Sequence, residues 1–361
     1  AVDPNPEKCE QLSVLKEKQV DLFDRMEDFY NSGGEADLAI ISSPIPFHLP
    51  QTRIALENGS NVLCEKPLCA TVEEARAMIS LQQQADKFVG IGYQWSYSEA
   101  IQELKKDLQQ GLLGKPKRLK TIVLWPRDKN YYNRSGWAGK IRDQEGRWIL
   151  DSVANNATAH YLHNMFYVLG DKVDTSISLN SVKAELYRAI DIQNYDTCAV
   201  RVIAENNIEI LFYASHAVKQ SLNPSFCFEF EKGKIIYGEF EDEEKQIKVI
   251  YNNGNKKRTK IYGDPDENKA KKLWDAVEAV RKGKTSLKCG PEAASSHTFC
   301  INKMQPSEKN IINFPDEIVV ENQNRIWVEG LGDLLKKCYQ KAQLPAENQI
   351  SWAQSGKEFK F

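Results

Sequence analysis

The sequence predicts an α/β protein, with a doubly wound parallel sheet in its N-terminal part and a large, mostly antiparallel open sheet after it. Over residues 1–92, short apolar runs alternate with helical patterns, which is typical of βαβ units. From residue 119 onward, strand-like runs follow one another without intervening helices, which indicates antiparallel pairing. The 361 residues also exceed the size of about 250–300 residues at which single cores stop growing. We therefore expect two α/β domains, residues 1–92 and residues 93–361.

Each N-terminal element has its own sequence signal. Four consecutive apolar residues at 38–41, closed by Ser-Ser-Pro, predict a strand that is buried on both faces. Thr71 and Glu74 form a capping-box signature at the start of a helix. The same kinds of signal predict helices at 7–16, 20–30, 49–58 and 71–85, and further strands at 61–64 and 88–92.

The second part begins with a predicted helix at 99–110, which Gly111 closes. A long helix is predicted from Asp151 or Ser152, either of which can cap it, to Gly170, which can end it. The remaining predicted strands are 120–124, 197–204, 209–214, 227–231, 234–240 and 246–251, and the remaining helices are 267–282, 291–302 and 331–342.

Composition excludes several classes of protein. Lys and Arg number 48 against 50 Asp and Glu, so the chain lacks the excess positive charge of a general nucleic-acid binder. No apolar run approaches 18 residues, which argues against a membrane-spanning helix. The eight cysteines are scattered and form no C-x-x-C pair, which favours a reducing compartment. We expect a cytoplasmic protein; because the sequence starts at Ala1 and not at Met, an exported form stays open.

The string Glu65-Lys66-Pro67 directly follows the predicted strand at 61–64. Open α/β sheets bind ligands at the carboxyl ends of their strands, so the ammonium of Lys66 would point into that crevice. There it can polarise a carbonyl or alkoxide oxygen, or transfer a proton if burial lowers its pKa. The alternative is a solvated lysine beside a turn proline, although the preceding strand and the following helix cap favour the functional interpretation.

Four polar residues share one face of the predicted long helix. Asn156, His160, His163 and Asn164 are spaced at i, i+4, i+7 and i+8. His160 is a candidate acid or base because the histidine pKa lies near neutrality. Either histidine alone is also compatible with a hydrogen-bonded core residue. The H-E-x-x-H spacing is absent and no third ligand is evident, so we predict no metal site.

Residues 124–139 are rich in aromatic side chains and arginine. Aromatic faces stack on the C–H faces of sugar rings, and arginine and asparagine bind hydroxyl groups, so we predict a carbohydrate or polyol site. The alternatives are a surface loop with cation–π contacts and an oligomer contact. The candidate substrate-binding residues of this loop are Trp125, Arg127, Tyr132 and Trp137.

Three motifs resemble those of the glucose–fructose oxidoreductase/inositol dehydrogenase/rhizopine catabolism (Gfo/Idh/MocA) family. The predicted strand followed by Ser43-Pro44-Ile45-Pro46-Phe47-His48 resembles the family's T/S-P-x-x-x-H segment. Glu65-Lys66-Pro67 matches its E-K-P hallmark, and the segment around His160, ten residues before Gly170, resembles its D-x-x-x-H…G pattern. The resemblance covers nearly the whole chain.

The resemblance implies a nicotinamide-dependent oxidoreductase with an N-terminal Rossmann-type domain. It also implies a C-terminal sheet that often forms the interface of a homo-oligomer, here a dimer or a tetramer. Lys66 would hold the substrate oxygen and His160 would exchange the hydroxyl proton. Asn156 stands where the family has an aspartate; it can orient His160 by a hydrogen bond but cannot stabilise an imidazolium by charge. The further substrate-side candidates are Asp151, which is also an alternative proton acceptor, Asn155 and His163.

The same resemblance implies a bound dinucleotide. Asp3 stands where an acid binds the adenosine ribose, and its charge would repel a 2′-phosphate, which favours NAD over NADP. The alternative is that Asp3 only forms a turn. The G-x-G-x-x-G phosphate loop and the strand before it are not in this sequence, so we expect the chain to begin at the end of the second strand of that fold. The other candidate cofactor-binding residues are Ser43, Pro44, His48, Glu65 and Lys66.

These features predict an NAD(P)-dependent oxidoreductase that transfers a hydride at a C–OH group of a sugar, polyol or sugar derivative. Two alternatives stay open. One is redox-assisted glycoside cleavage in which NAD is recycled. The other is a non-catalytic regulator that binds a dinucleotide or a sugar, which Asn156 and the missing phosphate loop favour.

Overall fold

The first sheet contains three parallel strands in the order β1 (Leu38–Ile41), β2 (Asn61–Cys64) and β3 (Val89–Ile91). Helices α3 (His48–Glu57) and α4 (Val72–Gln84) connect them, which confirms the predicted βαβ arrangement. The carboxyl ends of the strands therefore meet at one edge of the sheet. The computed structural model describes residues 1–238, 240, 245–253, 256–305 and 308–361.

The capping box at the start of α4 is confirmed. The backbone N–H of Glu74 donates to Thr71 Oγ1 at 3.2 Å, and the N–H of Thr71 donates to Glu74 Oε2 at 2.9 Å. Two N–H groups that a helix start leaves unpaired are thereby satisfied.

The prediction that β1 is buried on both faces is wrong. Ile41 is 3% exposed, whereas Ile40 is 57% exposed. Successive side chains of a strand point to opposite faces of the sheet, and only the face of β1 that carries Ala39 and Ile41 is packed against the core.

The N-terminal helices are shorter than predicted. α1 spans Leu12–Glu17 and α2 spans Met26–Asn31, whereas the sequence predicted helices at 7–16 and 20–30. Part of the second predicted helix is extended, because Phe23 forms a parallel bridge with Val2. The N–H of Asp3 donates to the carbonyl of Phe23 at 3.0 Å, which fixes this arrangement.

The second sheet has ten strands among the described residues, and most of its pairs are antiparallel, as predicted. The parallel pairs are β4 with β7 and β5 with β12. Its strand order is β11-β10-β9-β8-β4-β7-β6-β5-β12, with β15 paired to β5, while β13 and β14 form a separate hairpin. The strands are β4 (Pro116–Leu124), β5 (Leu179–Arg188), β6 (Thr197–Ala204), β7 (Glu209–Ser215), β8 (Leu222–Phe230), β9 (Gly233–Tyr237), β10 (Ile247–Asn253), β11 (Lys256–Gly263), β12 (Ile311–Asn313), β13 (Val319–Glu321), β14 (Ile326–Val328) and β15 (Glu358–Lys360).

The predicted strands are confirmed with shifted ends, except that residue 239 of the predicted strand 234–240 lies outside the described residues. β5, β11 and the short strands β12 to β15 were not predicted. In β5, Val182 and Leu186 face the core and alternate with polar neighbours, so the period-2 pattern carried the signal.

Helices cover both faces of the second sheet. One face packs against α5 (Glu99–Gln109), α7 (Ala159–Tyr167) and α9 (Pro291–Met304), and the other packs against α10 (Leu331–Lys341). The face that packs against α10 is therefore partly covered by the chain itself. The two remaining helices are α6 (Lys129–Asn133) and α8 (Lys271–Arg281).

The boundary between the two predicted domains stays a prediction. One continuous cluster of buried apolar residues includes Val62 and Val89 of the first sheet together with Val200 and Phe212 of the second. α4 also packs against α9, so the two sheets share one core. Among the described helices, none combines the length and the apolar character that crossing a bilayer requires.

Candidate active site

Lys66 lies directly after β2, at the carboxyl edge of the parallel sheet, and its peptide bond to Pro67 is cis. Its Nζ donates to both oxygens of Asn156, the backbone carbonyl at 2.8 Å and Oδ1 at 2.7 Å. Burial lowers the pKa of Lys66 to about 8, because the ammonium loses water there. Near neutral pH this lysine can therefore hold a proton and also release one.

Asn156 joins Lys66 to a buried carboxyl group. Its Nδ2 donates to Asp151 Oδ1 at 2.7 Å, and the backbone N–H of Gly139 donates to Asp151 Oδ2 at 2.6 Å. Burial raises the pKa of Asp151, although these hydrogen bonds oppose that effect. The side-chain hydrogen bonds of Asn156 thus go to Lys66 and Asp151 and not to His160, so Asn156 is placed to position the lysine.

The prediction of a single helix from 151 to 170 is wrong. Ser152 caps a π-helical turn, Val153–Ala157, and α7 begins only after Thr158. The N–H of Thr158 donates to the carbonyl of Val153 at 3.0 Å, which closes the wider ring of a π turn. The extra residue in this turn takes Asn156 out of the i, i+4 register with His160 that a regular helix would impose.

His160 stands at the start of α7 and is partly exposed. Its Nδ1 is buried and has no hydrogen-bond partner among the described residues, and its ring meets Tyr93 edge-on. Burial, followed by the nearby charge of Lys66, lowers the pKa of His160 well below its usual value. The imidazole is therefore neutral at pH 7 and has a nitrogen available to accept a proton.

Two further histidines pack beneath the site. His163 is 1% exposed, stacks on Tyr93 with ring centroids 3.8 Å apart, and places Nε2 3.0 Å from Ser96 Oγ. His297 is fully buried and contacts the Tyr93 hydroxyl and the carbonyl of Ala154 at 3.0 and 3.2 Å. The substrate contact predicted for His163 stays a prediction, which this burial does not favour. Tyr93 was not predicted, although an aromatic residue directly after a buried strand was a usable signal.

On the predicted cofactor side, His48 is 1% exposed and acts as a structural link. Its Nδ1 lies 2.9 Å from the carbonyl of Pro67 and its Nε2 lies 3.0 Å from the carbonyl of Ser43. The Ser43 hydroxyl donates to Gln51 Oε1 at 2.6 Å. His48 thus holds together the turns that follow β1 and β2.

The carboxylates predicted to bind cofactor differ in their surroundings. Asp3 is exposed, and its Oδ1 accepts the N–H of Asn5 at 2.7 Å, so the turn is formed and the other oxygen is left for a ligand. Glu65 forms an ion pair with Lys272 of α8, which the sequence analysis missed because the two are far apart in the chain. Lys272 therefore neutralises a carboxylate beside the candidate catalytic lysine.

The candidate substrate loop contributes stacked rings and cations. Arg127 lies 5.6 Å from the ring of Trp125 and 4.8 Å from that of Tyr131. The Tyr132 hydroxyl lies 2.7 Å from His216 Nδ1. Of this group the sequence analysis did not single out Tyr131, although it lies in the same aromatic run.

Trp137 lines a pocket of about 220 Å³ together with Pro44, which joins a predicted substrate residue to a predicted cofactor residue. Tyr132 and Gly139 line a separate cleft of about 760 Å³ that Lys66 does not line. Asn155 is buried, and its Nδ2 donates to the carbonyl of Leu150 at 3.0 Å. A direct substrate contact by Asn155 therefore stays a prediction.

Comparison with known proteins agrees with this architecture. The 1,5-anhydro-D-fructose reductase of Ensifer adhaerens is 26% identical over 149 residues, which are 40% of this chain and 41% of that protein. The D-glucoside 3-dehydrogenase of Escherichia coli K12 is 33% identical over 148 residues, 40% of this chain and 39% of that protein. The chain thus spans about two-fifths of the length of these curated relatives.

Among solved structures, a levoglucosan dehydrogenase in complex with NADH has the same fold, with a TM-score of 0.68 at 15% identity over 86% of this chain and 87% of that one. Residues 1–93 match the family model described as an oxidoreductase family with an NAD-binding Rossmann fold. This match, together with the E-K-P string at the end of β2, supports the resemblance of the N-terminal part of the chain to the Gfo/Idh/MocA oxidoreductases.

Proposed function

We propose that this protein is an NAD(P)-dependent oxidoreductase that oxidises a C–OH group of a sugar, polyol or sugar derivative. The observation that carries the proposal is the pair formed by Lys66 and His160 at the carboxyl edge of the parallel sheet. One is a half-buried ammonium whose pKa is about 8, and the other is a neutral, partly exposed imidazole. Such a pair can hold an oxygen and accept its proton.

The residues present fit the two ends of a dinucleotide. Asp3 offers a free carboxylate oxygen for a ribose diol, and Ser43 and Pro44 follow β1 at the edge where ligands of such sheets bind. The charge of Asp3 supports NAD over NADP. When bound, the nicotinamide supplies the hydride acceptor.

The residues of the chain account for the transfer of the substrate's hydroxyl proton. Lys66 keeps two of its three N–H groups on Asn156, so one remains to hold the substrate oxygen. The buried Nδ1 of His160 leaves Nε2 as the nitrogen that can meet a substrate hydroxyl. During oxidation, the substrate C–H bond breaks with its electron pair leaving as hydride, the O–H proton passes to His160, and the C=O bond forms. Asp151 stays a second proton acceptor, connected to Lys66 through Asn156.

The test compares Lys66→Met with the wild-type chain on a panel of free sugars, polyols and methyl glycosides, with NADH formation as the readout. We expect turnover to fall by about 10²–10⁴-fold in Lys66→Met, because an oxygen-holding and proton-exchanging group is lost. NADH binding, followed by fluorescence titration, should change little. Lys106→Met serves as the control, since Lys106 is exposed on α5. Unchanged turnover in Lys66→Met would contradict the assignment.

The same panel separates the alternatives. Cleavage of a glycoside without net NADH formation would indicate redox-assisted cleavage. NADH binding without turnover of any compound would indicate a regulator, which the amide of Asn156 in place of a carboxylate favours. The homo-oligomer and the cytoplasmic location also stay predictions, the first of which sedimentation analysis would check.

A further inference from the structure

Two arginines beside the candidate site lack acidic partners. Neither Arg127 nor Arg134 forms a salt bridge within the described part of the chain. Both guanidinium groups contact the ring of Tyr131, at 4.8 Å and 3.7 Å from its centroid, so they lie near each other. The Nε of Arg127 is buried and has no hydrogen-bond partner among the described residues. A buried, unpaired N–H of a charged group is costly unless a ligand completes it.

Among the described residues, the other half-buried arginines have ion-pair or hydrogen-bond partners for their side chains. Arg118 forms an ion pair with Glu209 at 2.5 Å, and Arg147 forms one with Asp143 at 2.6 Å. Arg127 is thus unusual in this structure, since its guanidinium is held between aromatic rings while its Nε is left unpaired.

The acidic groups around these arginines are already bonded to other groups. Arg134 lies close enough to Lys66 and to Asp151 to influence the protonation of both groups. Burial raises the pKa of Asp151, and its oxygens are occupied by Asn156 and Gly139. The carboxylates of Asp128 and Asp196 likewise accept backbone N–H groups, of Tyr131 and of Ala189 and Ile190. Lys272 does not add to the excess because Glu65 pairs with it.

We propose that the substrate is an acidic sugar whose carboxylate binds the guanidinium of Arg127, with Arg134 contributing further positive charge. This deepens the proposed function and rests on it for the sugar part of the substrate. The Nε–H and a neighbouring Nη–H of arginine point in parallel and match the two oxygens of one carboxylate. The rings of Trp125 and Tyr131 fix the guanidinium in place and offer apolar faces to a sugar ring. Arg127 is then a residue that determines specificity for a charged sugar over a neutral one.

The test measures binding to the full chain in the presence of NADH by isothermal titration calorimetry. D-glucuronate, D-galacturonate and D-gluconate are each compared with a neutral counterpart, namely D-glucose, D-galactose and D-glucitol, and D-glucose 6-phosphate is included as a different anion. We expect at least one acidic sugar to bind about 10- to 100-fold more tightly than its counterpart, as a charged hydrogen-bonded pair would give. The inference is overturned if every acidic sugar binds no better than its counterpart, or if the phosphate ester binds more tightly than all of them.

Variants connect this preference to one side chain. Arg127→Met should remove the difference between an acidic sugar and its counterpart, and Arg127→Lys, which keeps the charge but loses the paired donors, should retain part of it. Arg142→Met is the matched control, because Arg142 is exposed and stacks on Trp148 away from this site. A preference that survives in Arg127→Met, with thermal unfolding like that of the wild type, would overturn the assignment to Arg127.

Failure of the proposed function gives a different result. An acidic sugar that binds through Arg127 but yields no NADH would contradict the oxidoreductase activity and leave the anion site in place. A neutral sugar that is oxidised, with no preference for its acidic form, would support the activity and overturn the anion site.

Discussion

Asn156 is expected to keep the pKa of Lys66 from falling further than burial alone would take it. The Lys66 ammonium donates to Asn156 Oδ1 at 2.7 Å and to the backbone carbonyl of the same residue at 2.8 Å. Asn156→Ala removes the first acceptor and keeps the second. Because an acceptor stabilises the charged form, its loss favours the neutral amine, and the pKa of Lys66 should fall.

The size of this effect follows from the hydrogen bond that is lost. A hydrogen bond to a charged group contributes about 1.5–3 kcal/mol. One pKa unit corresponds to about 1.4 kcal/mol, so the expected fall is about 1 to 2 units. The pKa of Lys66 would then move from about 8 to a value near or below neutrality. Water that enters the space left by the amide would reduce the shift.

The pKa of Lys66 can be measured without a substrate. The protein is acetylated with a small amount of acetic anhydride over a range of pH, and mass spectrometry of the Lys66 peptide gives the pH at which its reactivity is half-maximal. Asn155→Ala is the matched control, since the neighbouring amide bonds to the carbonyl of Leu150 and not to Lys66. A midpoint that stays unchanged or rises in Asn156→Ala would refute the role given to Asn156.

Three further predictions concern stability. Thr71→Ala should lower the free energy of unfolding by about 1 kcal/mol, because the capping acceptor for the N–H of Glu74 is lost; urea denaturation would show no change if the cap were unimportant. Ile41→Ala should cost about 2–4 kcal/mol and Ile40→Ala less than about 1 kcal/mol, since the first is 3% and the second 57% exposed; equal costs in urea denaturation would contradict this difference in burial between the two faces of β1. Burial lowers the pKa of His297 from 6.5 to about 4. Between these two pH values the unfolded chain binds more protons than the folded chain does. The free energy of unfolding should therefore fall as the pH drops from 6.5 to about 4. His297→Gln should weaken that pH dependence of the urea midpoint, and an unchanged pH dependence would count against the buried neutral histidine.

Much of the fold could be predicted because its signals are local. The capping residues of α4, the apolar run of β2 and the glycine after α3 act within a few residues of the chain, so their structural effect is largely independent of distant contacts. The position of Lys66 at the sheet edge follows from the same kind of signal, since it directly follows a strand. β5 was missed because its pairing partners are distant in the chain, and the exposure of Ile40 was missed because it depends on what packs against each face of the sheet.

By itself, the sequence determined which residue types reach the candidate site: a lysine after a buried strand, a histidine at the start of a helix, and arginines within an aromatic loop. Only the tertiary structure decided how these groups are partnered. The π turn closed by Thr158 turns Asn156 toward Lys66, and packing against Tyr93 keeps His163 in the core. Packing against Trp125 and Tyr131 leaves the Nε of Arg127 without a hydrogen-bond partner among the described residues. Hydrogen bonds and charges act over a few ångströms in space, and residues 90 positions apart, such as Lys66 and Asn156, come within that distance only when the chain has folded.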